Sequence, residues 1–204
     1  MDTDDCLADD RLAADLARDL DRSFDALVVA HQDRLYTIAL RMLGDPRDAE
    51  EAAQDALVRA YRALATYEAA RIRELRVRGW LTTIVLNLCR TRGVRRAARG
   101  APAISIDDDA SRSLEPSAPR SQTPSEVAER RAERDRWGAR LAELPLAYRA
   151  AVVLRHVDGL SYREAAAALG RPEGTVKAQV HRGVALLRTM LEADARHELE
   201  EMTA

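Results

Sequence analysis

The residues in this chain best suited to chemistry are polar side chains repeated at helical spacing, and they form three sets. Thr83, Asn87 and Arg90 stand at i, i+4 and i+7, followed by Arg92, Arg95 and Arg96, and preceded by a loop carrying Arg71, Arg73, Arg76 and Arg78. Arginine forks bind phosphate and an amide can hydrogen-bond a base, so this edge suits unpaired nucleic acid. Trp80, at the head of the segment, either stacks on a base or anchors the helix in a core, the commoner use of such a residue. Asp48, Glu51 and Asp55, with Gln54 among them, share a helix face that can dock on a basic partner. Acids early in a helix followed by Arg59 and Arg62 also compensate the helix dipole, so spacing alone leaves the two readings level. The third set is Gly174, Thr175, Lys177, Ala178, His181 and Arg182, with Gln179 at its flank and Arg171 and Glu173 at its start. On a helix whose Val176, Val180, Gly183 and Leu187 face inward, these side chains suit base edges and phosphates in a major groove. The alternative is a solvated face of a helical hairpin.

The elements that must position the third set have local markers. Pro145 can open a helix that Asp158-Gly159 ends near Val157. Ser161 and Glu164 have capping-box spacing, Tyr162, Ala165, Ala166 and Leu169 form one apolar stripe, and Gly170 closes that helix. Pro172 restarts the chain within a few residues, the arrangement of a helix-turn-helix. For the acidic set, Asp45 and Pro46 start a helix after Gly44, with Ala49, Ala53, Ala56, Leu57, Ala60 and Leu64 as its buried face. For the first set, Leu81, Ile84, Val85 and Leu88 pack inward.

Charge follows the same division. The 204 residues carry 34 Asp+Glu against 32 Lys+Arg, a net of −2. Residues 1–23 hold 3 Arg against 8 acids, 24–98 hold 13 Arg against 9 acids, and 135–189 hold 9 basic against 5 acidic groups. Two basic blocks flanked by acidic or neutral segments suggest two modules facing a polyanion, unless arginine is simply abundant in a chain whose only lysine is Lys177. Between them, Gly100–Ser125 holds four prolines, six serines and an Asp107-Asp108-Asp109 run, and reads as a tether. The fold class expected is all-α, two small helical domains joined by a flexible linker. The divisions are an acidic N-terminal extension (1–23), a first domain (24–98), a linker (99–134), a second domain (135–190) and an acidic C-terminal tail (191–204).

The run SYREAAAALGRPEGTVKAQVHRGVALLR closely resembles region 4 of bacterial sigma factors of the extracytoplasmic-function (ECF) type, above all in its GTVK-x-x-x-HRG core. A helix-turn-helix alone would also suit the DNA-binding domain of a response regulator, but FDALVVAHQDRLYTIALRMLGD, PRDAEEAAQDALVRAYRAL and RGWLTTIVLNLCRTRGVRR resemble sigma region 2 in the matching order. This resemblance implies that Asp48, Glu51, Gln54 and Asp55 bind the β′ clamp helices of core RNA polymerase. It implies that Arg78, Trp80, Thr83, Asn87, Arg90, Arg95 and Arg96 hold the melted minus-10 element. Region 4 would contact the β subunit flap, and Arg171, Glu173, Gly174, Thr175, Lys177, Ala178, Gln179, His181 and Arg182 would meet the minus-35 groove. The loop EAARIRELRVRG is richer in arginine and poorer in aromatics than the family pattern, and Gln179 stands where arginine is common. An anti-sigma factor is a further expected partner, and the linker would thread toward the polymerase active-site cleft or act as an inert tether.

Other classes are less well served. No Walker-type loop, nucleophile motif or metal-spaced His/Cys set is evident, so no enzyme activity, cofactor or metal is expected. Cys6 and Cys89 fit two reduced thiols. The acidic start lacks the charge order of a secretory signal and no apolar run approaches a membrane span, so a cytoplasmic protein without membrane contact is expected. The alternative function is a stand-alone helix-turn-helix regulator, which would need a dimerisation seam that is not evident.

Overall fold

The structure, a computed structural model, describes residues 3–98, 133 and 136–203, and the side chains of 8–94, 133, 136–196 and 200. The expected linker, 99–134, lies outside the described residues except for Glu133. Every regular element among the described residues is helical: α1 (Thr3–Arg18), α2 (Leu20–Leu43), α3 (Pro46–Leu64), α4 (Ala69–Arg73), α5 (Val77–Ala98), α6 (136–143), α7 (Leu146–Val152), α8 (Tyr162–Leu169) and α9 (Glu173–Thr203).

Helices α2, α3 and α5 pack on one another as a bundle. Gly44 ends α2 in the left-handed region at φ 74°, where other residues are strained, and the Asp45 carboxylate accepts from the Asp48 N–H at 2.9 Å to start α3 behind Pro46. The buried face of α3 is nearly all alanine (Ala49, Ala52, Ala53, Ala56, Ala60) and closes on Leu64, which lets it lie close to Leu27, Leu35, Ile38 and Met42 of α2. Leu57, expected inward, is half-buried. The acidic segment 1–23 does not stand apart from this bundle. It supplies α1, which buries Ala13 and Leu16 and packs on α2, α4 and α5. There the Asp9 carboxylate accepts the Arg78 N–H at 3.2 Å, and burial raises its pKa.

In the second half, α7 follows Pro145 and runs into a π-helical turn, Val153–Val157, which the Asp158 N–H closes on the Val153 carbonyl before Gly159 turns the chain at φ 74°. Ser161 and Glu164 form the expected reciprocal cap and Gly170 ends α8 in the left-handed region. Helix α9 continues through the expected acidic tail to Thr203, and Asp194 is held there by Arg140 of α6. The two halves touch: Leu154, Leu160, Ala165, Ala168 and Leu169 belong to the same buried cluster as Leu81, Val85 and Leu86, and α5 packs directly on α8. No helix among the described residues is long and apolar enough to cross a membrane.

Two outcomes follow from this packing. Burial raises the Glu164 carboxyl, but hydrogen bonds from the Ser161 hydroxyl and backbone N–H outweigh it, so its folded pKa lies below the ordinary value. A lowered carboxylate pKa contributes stability above the unfolded value that is lost as pH falls through the folded one. Glu164→Gln keeps the box geometry, so the melting-temperature gap between wild type and variant is expected to be open at pH 7 and to close below about pH 4. Ser161→Ala removes the cap, at about 1 kcal/mol at neutral pH. Cys89 is buried and its thiol is pushed up to about 12, burial being the main cause. In a Cys6→Ser background, Ellman's reagent at pH 8 is expected to titrate no thiol until denaturant is added.

Candidate polymerase and nucleic-acid interfaces

On α3, Asp48 is half-buried and Glu51, Gln54 and Asp55 are exposed on one face. The face is not purely acidic. Arg92 of α5 reaches across, donating to Glu51 at 2.8 Å and to Asp55 at 2.6 Å, while both acids stay more than half exposed. Its pKa rises, chiefly through the bond to Glu51. Arg92 therefore belongs to the acidic face, not to the basic edge where its spacing put it, because α3 and α5 pack side by side.

Along α5, Leu81, Val85 and Leu88 are buried as expected, with Leu86 and Cys89, while Ile84 is half-buried. Thr83 is half-buried, its hydroxyl donating to the Gly79 carbonyl at 3.0 Å, and Asn87 is exposed four residues on, with Arg90 half-buried below it. Arg95 and Arg96 continue the helix, but their side chains lie outside those described. Trp80 packs on the core as an anchor, its ring 6.2 Å from that of Tyr67, over which the Arg71 guanidinium sits at 3.8 Å. The arginine-bearing segment expected as a loop is largely helical, with Arg71 and Arg73 on α4 and Arg78 already on α5, and this short ladder ties α4 against the head of α5. Arg78 is turned toward the second half, with Nη2 donating to the Asp158 carbonyl at 2.6 Å.

Beside Arg78, Arg34 of α2 holds both Asp158 carboxylate oxygens, at 2.5 and 2.6 Å, and Burial lowers its pKa. Sequence reasoning missed Arg34 and Thr82, and read Asp158 only as part of a helix end. Arg34 had left a signal, since it stands on the face of α2 that Leu27, Leu35 and Ile38 make apolar, and a charge there needs a buried partner.

On α9, Val176, Val180, Gly183 and Leu187 are buried, and Glu173, Gly174, Thr175, Lys177, Ala178, His181 and Arg182 form the exposed arc. Gln179 and Arg171 are half-buried at its margins. An open hollow beside the arc is completed by Pro145 and by Ala147 and Tyr148 of α7. The arrangement suits insertion of the start of α9 into a groove. Among the described residues no three His, Cys, Asp or Glu side chains gather as metal ligands would.

Residues 27–100 match Sigma-70 region 2 and residues 134–187 match Sigma-70 region 4. The ECF RNA polymerase sigma factor SigM of Mycobacterium tuberculosis is 34% identical over 183 residues, 88% of this chain and 82% of the relative. The chain belongs to the ECF group of the sigma-70 family. ECF RNA polymerase sigma factor SigE of Mycolicibacterium smegmatis is also 34% identical, over 178 residues that make 87% of this sigma factor and 64% of the relative, so the chain spans just under two thirds of that protein. CnrH, solved in complex with the cytosolic domain of CnrY, superposes with a TM-score of 0.65 at 29% identity, covering 92% of this sigma factor and 99% of CnrH. The helix-turn-helix of this sigma factor is thus region 4, and the region 2 match covers most of α2 and all of α3–α5, with α1 packed against them from outside it.

Proposed function

We propose that this chain is an alternative sigma factor that binds core RNA polymerase, directs it to specific promoters and supports their opening. In this reading α3 docks on the β′ clamp helices through Asp48, Glu51, Gln54 and Asp55, and region 4 contacts the β flap. The minus-10 strand lies along α5 at Thr83, Asn87 and Arg90, with Trp80 as the anchor beneath and Arg78, Arg95 and Arg96 as phosphate ligands. The exposed arc of α9 from Arg171 to Arg182 reads the minus-35 groove, and residues 99–134 span the two regions. The polymerase performs nucleotide addition and this chain no catalysis. It works in the cytoplasm without membrane contact, and an anti-sigma factor that covers both regions is its regulator.

The observation that carries the reading is the pairing, in one chain and in sigma order, of an exposed acidic α3 face with a recognition helix whose polar arc is backed by Val176, Val180, Gly183 and Leu187. Run-off transcription on a genomic promoter library tests it, using a matched core enzyme with and without this protein. Transcripts that need both are the expected result. Discrete duplex binding without core enzyme, and no transcripts, would turn the conclusion to a stand-alone regulator.

A further inference from the structure

The acidic face of α3 carries a cation that comes from another helix. Glu51 and Asp55 stand one helical turn apart on α3, where like charges repel and each side chain has several rotamers open to it. Arg92 of α5 lies across from them. Its Nη1 donates to Glu51 Oε2 at 2.8 Å and its Nη2 to Asp55 Oδ2 at 2.6 Å, so one guanidinium bridges both carboxylates. Gln54, between the two acids, donates instead to Glu50 at 3.2 Å. The Arg92 side chain is 22% exposed, against 68% for Glu51 and 52% for Asp55. The cation is the sheltered member of the trio, and the acids each commit one oxygen to it while more than half of each side chain stays open to a partner.

Exposed ion pairs of this kind add little to stability. What the bridge does is remove freedom from two side chains on a docking face. A planar guanidinium offers two N–H groups in fixed geometry, which an ammonium on a flexible stem does not. Fixing both acids before the partner arrives removes part of the ordering cost that interface side chains otherwise bring to binding. We infer that Arg92 is a positioning residue for polymerase docking: its fork holds the Glu51 and Asp55 carboxylates in the arrangement that the basic surface of the core enzyme meets. The inference rests on the docking reading of α3 and deepens it. The opposite role, a cation that only screens the acids from the partner, predicts the opposite sign.

Association and dissociation of the full chain with immobilised, matched core RNA polymerase, followed by biolayer interferometry, give the test. Arg92→Lys keeps the charge and loses the fork. It is expected to bind core about tenfold more weakly, about 1.4 kcal/mol, with the loss in the dissociation rate because the long-range attraction is unchanged. Arg92→Met, without the charge, is expected to bind more weakly as well. The melting temperature of Arg92→Lys is expected to stay within about 4 °C of wild type. In a Glu51→Ala/Asp55→Ala background, Arg92→Lys is expected to change core binding no further, since the residue acts through the two acids. Arg92→Lys that binds as tightly as wild type overturns the proposal, and so does a tenfold loss that persists in the background without the acids. Arg92→Met that binds more tightly than wild type assigns Arg92 to screening, and a melt far below wild type makes the loss structural; either result overturns the positioning role. The reversal Asp48→Arg/Asp55→Arg separates the proposal from the reading beneath it. Core binding that survives the reversal removes the docking face and the proposal together, whereas binding lost in the reversal and intact in Arg92→Lys removes the proposal alone.

Discussion

The double charge reversal Asp48→Arg/Asp55→Arg is expected to reduce core-dependent transcription by about 100-fold while moving the melting temperature by only a few degrees. In the docking mode proposed for α3, the reversal sets positive charge against a basic partner: disrupting close interfacial charge pairs costs about 2–5 kcal/mol, and about 2.7 kcal/mol is a hundredfold. The fold loses little, because the Asp55 side chain is 52% exposed and its pair with Arg92 is a surface pair, a class worth about 0–1 kcal/mol. Asp48 keeps its place in the first turn through its backbone N–H, which the Asp45 carboxylate accepts whatever the side chain. Glu51 remains as a partner for Arg92. Run-off transcription and thermal melts on the same preparation separate the two effects. Undiminished transcription would remove α3 as the polymerase-binding face, and a collapsed melt would make any loss structural.

Gly183→Val is expected to unfold region 4. Glycine inside a helix costs about 1 kcal/mol against alanine, so propensity alone favours replacing it. Packing reverses the sign. A Cβ at Gly183 would lie 2.6 Å from Val152 Cγ2 and 3.4 Å from Tyr148 Cβ. Val152 is buried on α7, and a β-branched side chain in a helix has one strongly preferred rotamer, so it has little room to turn away. Overpacking of this kind costs about 1–3 kcal/mol, and the valine branches add to it. Gly183→Ala is therefore expected to destabilise by about 1–2 kcal/mol, and Gly183→Val by 3 kcal/mol or more, with duplex binding lost. Val152→Ala in the Gly183→Ala background is expected to cost less than the sum of the two changes by about 1 kcal/mol, the mark of contacting residues. Urea melts followed by helicity give all four corners of the cycle. A Gly183→Ala protein as stable as wild type would sink the packing account.

Gly183 shows where the reading of the chain stopped. Its place on the inner face of α9 was legible from the period of Val176, Val180 and Leu187. The need for glycine there was not, because it depends on α7 lying against that face. The same boundary runs through Arg92, whose position along α5 was right and whose partners, Glu51 and Asp55, lie 41 and 37 residues away. Asp9 looked like part of an acidic extension, yet its carboxylate meets the backbone of Arg78, 69 residues on.

What the sequence by itself determined is what short-range chemistry controls: the Asp45-Pro46 start of α3, the Ser161–Glu164 cap, the left-handed glycines 44 and 170, and the apolar periods that place Asn87 and Lys177 outward. Each depends on partners within about one or two helical turns, so residue types at fixed spacing suffice. Only the tertiary structure decided that regions 2 and 4 share a core, that Arg78 turns toward Asp158, and that Arg34, 124 residues from that carboxylate, holds it. Those contacts depend on how separate helices pack, and no periodicity along one helix encodes the face that another will cover.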